Sequence, residues 1–256
     1  MDKYLKDNER LDDLQLKGFK IIQNPEWFCF GIDAVILSDF VKVSRKSRVV
    51  EFGTGTGIIP LLIEGKKSPK EILAFEIQKD VADMAKRSVE LNNLQEKINI
   101  VNDDLNNVLD HVDKASVDVV VSNPPYMPAG VGIVNPHDNK AISRHEIMCT
   151  LEDIISNASK ILKYRGSLFM VHRPGRLVDI IMLMKKYDIE PKIIRFVHPK
   201  SDKKPNIMLI KGTKKGGEEL KILDPLVVYN NDGSYTDEIY RIYDSQNIDV
   251  FDKRSK

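Results

Sequence analysis

Apolar residues follow two rhythms along this chain. Short β-branched runs mark strands at Arg48-Val49-Val50-Glu51-Phe52, Glu71 to Glu76, Ile98 to Val101, Val117 to Val121 and Ser167 to Val171. Val117 to Val121 is apolar except at Asp118, the pattern of a strand covered on both faces. Between these runs the spacing changes to threes and fours. Ile58 to Glu64, Asp80 to Asn92 (apolar at Val81, Met84, Ala85, Val89 and Leu91) and Leu151 to Leu162 are expected to be helices, the last ended by Tyr164-Arg165-Gly166. Leu177 to Tyr187 is another helix. Two extended segments follow, Pro191 to Val197 and Asn206 to Ile210, and their connection is too short for a crossover helix, so they should be antiparallel.

The alternation predicts an α/β fold: a mostly parallel seven-stranded sheet with an antiparallel last strand and helices on both faces. It places a core over 45–215, an N-terminal extension over 1–44 and a C-terminal extension over 216–256 packed on the core. Phe19 to Ile22 and Trp27 to Phe30, separated by Gln23 to Glu26, resemble a small hairpin. Leu226 to Tyr229 followed by Asn230-Asn231-Asp232-Gly233 suggests a strand and a tight turn. Met127 to Ile142, with Pro128, Gly130, Gly132 and Pro136, reads as a long loop, which inside a compact domain is usually functional.

Composition narrows the class. Of 256 residues, 42% are hydrophobic and 30% charged, which excludes disorder. No apolar run is long enough for a membrane span or a signal peptide, so a cytoplasmic, membrane-free protein is expected. The two cysteines and five histidines have no metal-ligand spacing, and no metal site is expected. Net charge is +1, but residues 185–221 carry eleven Lys or Arg against five Asp or Glu, either a solvated surface or a patch that tracks phosphates.

Candidate chemistry lies at the ends of predicted strands. In Glu51-Phe52-Gly53-Thr54-Gly55-Thr56-Gly57 the glycines permit a sharp strand-to-helix turn and close approach of a ligand to the backbone. A dinucleotide fingerprint requires glycine where this chain has Ile58, which counts against a pyrophosphate ligand. Glu76 closes the second strand, where a carboxylate can accept from a ribose diol. After the third strand come two acids, Asp103 and Asp104, either of which can cap the helix that follows. Ser122-Asn123-Pro124-Pro125-Tyr126 follows the strand at Val117. The Asn123 side-chain oxygen and the Pro124 carbonyl are two neutral acceptors that can hold both hydrogens of a planar N–H2 group and aim its lone pair at a sulfonium methyl. Paired prolines fix the backbone, and Tyr126 supplies a stacking face.

With these motifs the chain resembles amino-methyltransferases that carry Asn-Pro-Pro-Tyr, and most closely the family of tRNA1(Val) adenine-37 N6-methyltransferases. The resemblance also covers Phe30-Gly31-Ile32-Asp33-Ala34, Ile142-Ser143-Arg144-His145-Glu146 and Arg195-Phe196-Val197-His198-Pro199. It implies a Rossmann-like class I methyltransferase fold, S-adenosyl-L-methionine as cofactor and RNA, notably tRNA, as partner. It further implies that Glu51, Gly53, Gly55, Gly57, Glu76, Asp104 and Asn123 line the cofactor, with Phe30 and Asp33 closing its pocket. Asn123, Pro124 and Tyr126 would present the target amine, and Pro125 and Arg144 would border the substrate entrance. Two other readings are a glutamine-amide methyltransferase acting on a translation factor and a cofactor-binding protein without catalysis. The first usually has an N-terminal helical domain, where this chain has only about 45 residues that look like strands.

Overall fold

The computed structural model describes residues 2–27, 29–125 and 149–243. Tyr126, Arg144 and the loop expected at 127–142 lie outside the described residues. β1 (Arg10–Asp13) and β2 (Lys20–Gln23) form a hairpin, followed by α1 (Ile32–Phe40). The central elements are β3 (Arg48–Phe52), α2 (Ile58–Lys67), β4 (Glu71–Phe75), α3 (Lys79–Leu91), β5 (Ile98–Val101), a 3-10 turn (Leu105–Asp110) and β6 (Val117–Ser122). Then come α4 (Leu151–Ile161), β7 (Leu162–His172), α5 (Leu177–Lys186), β8 (Ile189–His198) and β9 (Ile207–Lys214). Two-residue strands β10 (Lys221–Ile222) and β11 (Leu226–Val227) and the helix α6 (Asp237–Tyr243) complete the order.

The sheet runs β5-β4-β3-β6-β7-β9-β8-β10, and β11 also pairs with β8. Seven strands form its body as the hydrophobic pattern predicts, and β10 and β11 extend the sheet to nine. β9 is the antiparallel strand, inserted between β7 and β8. Alternation along the buried strands divides the core. Val49, Val119, Val121, Phe169 and Val171 face α1, α2 and α3, while Val50, Phe52, Val120, Leu168 and Met170 face α4 and α5.

Three expectations are corrected. The hairpin pairs Arg10–Asp13 with Lys20–Gln23, while Trp27, Cys29 and Phe30 lie outside any strand and Phe28 outside the described residues. The chain turns away after β2, where Asn24 O accepts from Trp27 N at 3.0 Å and Asn24 Oδ1 from Glu26 N at 2.9 Å. β2 instead meets α3, with Ile22 N donating to Ser88 Oγ and Lys20 N to Asn92 Oδ1, at 3.0 and 2.9 Å. Second, the N-terminal extension contains the helix α1, whose Ala34 to Ser38 are all buried. Five consecutive buried residues cover every side of the helix and leave no amphipathic period to reveal it. Third, Tyr164-Arg165-Gly166 does not precede the strand but bulges within it. Pairing of β6 with β7 jumps from Val117↔Leu162 to Val119↔Ser167, and Arg165 takes φ 63°.

α1 and α2 are joined at their C-terminal ends. Lys67 Nζ donates to the carbonyls of Ser38, Asp39 and Val41 at 2.5, 2.8 and 2.5 Å, capping the last turn of α1. Thr150 and Asp153 form a reciprocal capping box that starts α4. No helix among the described residues is long and apolar enough to cross a membrane.

Candidate active site

Strand order reverses between β3 and β6, with β4 and β5 on one side and β7 on the other. Open parallel sheets bind ligands at the carboxyl ends of the strands at such a switch point, where loops diverge and leave a crevice. The register makes the crevice specific. Phe52, the last residue of β3, pairs with Ser122 on β6 and Phe75 on β4, and Phe75 with Val101 on β5. The chain therefore leaves for Gly53, Asn123, Glu76 and Asn102 from one edge.

The glycine turn is held from beneath. Gly53 N and Thr54 N both donate to Phe75 O, at 3.0 and 2.9 Å. Gly53 and Gly55 take φ +74° and +57°, and a Cβ on either would meet nothing within 4 Å. Their conformation demands glycine while the space above them is open, which suits a ligand lying on the backbone. Gly57 starts α2 at φ 88°, and a Cβ there would touch Ala85 on α3 at 3.3 Å.

Glu76 is 1% exposed and lies under the turn. Its Oε2 accepts from Gly55 N at 2.9 Å and its Oε1 from Gln78 N at 3.0 Å. A carboxylate has about four acceptor sites, so each oxygen keeps a lone pair for another donor. Glu51 is equally buried, yet both its oxygens lack a hydrogen-bond partner among the described residues. Burial pushes its carboxyl up to about 8; the Thr54 hydroxyl beside it pulls the other way, and the Glu76 charge pushes further up.

The two aspartates after β5 divide their work. Asp103 Oδ2 pairs with His111 Nε2 at 2.8 Å, and Asp103 Oδ1 accepts from Asn107 Nδ2 and Asp104 N at 2.8 and 2.7 Å. His111, then Asn107 and the Asp104 N–H, hold the Asp103 carboxyl below its usual range. Asp104 caps the 3-10 turn through Oδ1, which accepts from Asn106 N at 2.8 Å. Oδ2 of Asp104 has no such duty in the turn. Asn102, which the sequence did not single out, donates to Glu76 O and Ile77 O at 2.8 and 3.1 Å, tying β5 to the Glu76 segment.

On the other side of the turn, Asn123 Nδ2 donates to Asp33 Oδ2 at 3.4 Å. Asp33 Oδ1 accepts from Ala34 N at 3.0 Å in the first turn of α1. Its carboxylate folds back over Gly31, where a Cβ would lie 2.7 Å from Oδ1. Because a carboxylate accepts, the amide must turn its N–H2 towards Asp33, which turns Asn123 Oδ1 the other way. Phe30 packs on the core and its N–H donates to the buried Gln23 Oε1 at 3.1 Å. Pro124 and Pro125 follow Asn123 beyond the end of β6.

His172, at the end of β7, is 3% exposed and was also missed in the sequence. Its Nδ1 accepts from Arg173 N at 2.8 Å, so the ring proton sits on Nε2. Burial, together with the Arg176 charge, holds it down to about 4. The basic stretch divides. Lys185 and Lys186 pair with Glu190 and Glu152 at 2.6 and 2.5 Å, and Lys192 donates to Gly217 O and Glu218 O at 3.0 and 2.7 Å. Lys200, Lys203 and Lys204 lie in the β8–β9 turn, at the same sheet edge as the glycine turn.

The buried carboxylates and open-backed glycines fit a cationic nucleoside cofactor. The methyltransferase small domain model matches residues 20–186. A tRNA1(Val) (adenine(37)-N6)-methyltransferase of Bacteroides thetaiotaomicron is 26% identical over 226 residues, covering 88% of this chain and 87% of that protein. Among solved structures, a predicted O-methyltransferase of Agrobacterium tumefaciens superposes with a TM-score of 0.67 at 21% identity, over 83% of this chain and 95% of the other. Geranyl diphosphate C-methyltransferase of Streptomyces coelicolor, solved with S-adenosyl-L-homocysteine, gives a TM-score of 0.53 at 13% identity, over 72% and 80% of the two chains. At those identities the likeness to solved structures is one of fold.

Proposed function

This chain belongs to the methyltransferase small domain family, and from that premise we propose that it methylates an exocyclic amine, adenine N6 in a tRNA. It is an enzyme that transfers methyl groups and uses S-adenosylmethionine. The observation that carries the choice of acceptor is the Asn123 amide just past the end of β6, whose nitrogen donates to Asp33 Oδ2 at the start of α1. The names of the relatives support the tRNA substrate.

In this reading Gly53, Gly55, Gly57, Glu76 and Asp104 line the cofactor, with Glu76 towards the ribose hydroxyls and Asp104 Oδ2 towards the adenine amine. Phe30 and Asp33 close the pocket from α1. The cofactor supplies an electrophilic methyl group on a sulfonium. Asn123 Oδ1 and Pro124 O accept the two N–H hydrogens of the target amine, which orients the nitrogen lone pair; Pro125 stiffens the segment and Tyr126 stacks on the base. The new C–N bond forms as the C–S bond breaks, and the alkylated nitrogen then loses its proton to solvent without a strong base. Arg144 borders the entrance, and Lys200, Lys203 and Lys204 meet phosphates at the same edge.

The test is incubation with cofactor labelled on its methyl group and separate pools of bulk tRNA, protein and DNA, followed by nucleoside mass spectrometry. N6-methyladenosine in tRNA is the expected product. Label confined to protein would assign the enzyme to glutamine amides, and no label in any pool would reduce it to a cofactor-binding protein.

A further inference from the structure

Glu51 has an electrostatic problem that the described residues do not solve. It lies on β3 two residues before the turn, 1% exposed, and neither carboxyl oxygen nor the Thr54 hydroxyl beside it has a partner among the described residues. Its neighbours in register, Ala74 on β4 and Val121 on β6, are apolar. Apolar side chains of α1, α2 and α3 pack on this face of the sheet, among them Val35, Ile59 and Ala82. The charged group acting on it is Glu76, whose sign is wrong for a counterion. Glu64, the carboxyl buried in α2, is occupied at the far end of that helix by Ser68 Oγ at 3.0 Å. An ionised carboxylate in such a place is strongly disfavoured, because no dipole or cation replaces the water it has lost. Two residues further on, the space above Gly53 and Gly55 is open.

We propose that Glu51 is a proton-exchanging counterion for the methyl donor: neutral in the free protein, it releases its proton to solvent when the cationic cofactor settles on the glycine turn. After transfer the cofactor has lost its sulfonium charge and Glu51 takes a proton back, which weakens the hold on the spent product. This rests on the glycine turn being the cofactor site. The methyl donor is a sulfonium that also carries an ammonium, whereas the demethylated product keeps only the ammonium, so the two ligands should differ in the protons they displace.

Titration calorimetry of the full chain at pH 7, in phosphate and in Tris, reads the protons directly, because the two buffers differ in ionisation enthalpy. S-adenosylmethionine is expected to displace most of one proton from the wild type, and S-adenosylhomocysteine fewer. In Glu51→Gln the displacement should vanish. An identical buffer dependence in wild type and variant would overturn the proposal. If the variant binds too weakly to give heat, the wild type decides alone: its displacement must fade between pH 7 and pH 9.5, and a constant value overturns the counterion. Absence of any binding to the wild type would overturn the cofactor reading itself, and the counterion with it.

Discussion

The Gly55 N–H donates to Glu76 Oε2 at 2.9 Å, so a carboxylate at the end of β4 holds the turn at the end of β3 in shape. With the ribose contact proposed above, Glu76 would have two tasks that substitution can separate. Glu76→Ala should weaken cofactor binding by about 1–3 kcal/mol, the range for lost hydrogen bonds to a charged group, and should also lower the melting temperature of the free protein. Glu76→Gln keeps one acceptor oxygen and should recover more of the stability than of the affinity. Calorimetry and thermal unfolding of both variants check this; unchanged affinity in Glu76→Ala would remove Glu76 from the ribose.

The link between Asp33 and Asn123 makes a second prediction. Asn123→Ala should abolish transfer while cofactor affinity stays within a few fold, since its oxygen serves the acceptor amine. Asp33→Ala frees the amide to rotate and should lower kcat by about 10- to 100-fold, the scale of a small misplacement near the reacting atoms. Asp33→Asn, which keeps an acceptor, should retain more activity than Asp33→Ala. Steady-state kinetics on tRNA and cofactor titration separate the two effects.

Much of this site was legible because its residues sit where strands end. β3 spans Arg48–Phe52 and β5 Ile98–Val101, the ranges that the apolar runs predict, so Gly53 and Asn102 could be placed at strand ends. Proline and glycine at Asn123-Pro124-Pro125 and Gly53 to Gly57 restrict the backbone locally and can be read locally. What the sequence concealed depends on distant partners. β1 contains two aspartates and has weak strand propensity, and it is paired through Lys20–Gln23. α1 is buried all round and shows no period. His172 is unusual only because the surrounding fold covers it, and Asp33 meets Asn123 across 90 residues of chain.

Glu51 should make the free protein more stable in acid than at neutral pH, considering that group alone. Its folded pKa, about 8, is above the ordinary 4.5, so its stabilising contribution is complete below pH 4.5 and is lost as pH rises towards 8. Glu51→Gln has no charge to bury. Relative to wild type it should gain stability through that window by about 1.4 kcal/mol per pH unit. Urea midpoints at pH 5, 6.5 and 8 test the trend, and a constant difference between the two proteins would contradict it.

His172 has the opposite slope. Its folded pKa, about 4, lies below the ordinary 6.5, so the unfolded chain takes up a proton first as pH falls. Stability is lost between pH 6.5 and about 4 and is level below that range. His172→Gln should remove this part of the acid dependence, so wild-type and variant urea midpoints should converge or cross as pH falls from 6.5 to 4. Parallel curves would mean that the imidazole is not held neutral.

Lys67 gives the pocket a form of leverage. Its ammonium fastens the C-terminal ends of α1 and α2, while the opposite ends of these helices carry Asp33 and Gly57 at the candidate site. The two helices thus work like the legs of a pair of dividers, pinned by one cation at the far side of the domain. One lysine thereby ties together, at their far ends, the two helices whose near ends flank the glycine turn.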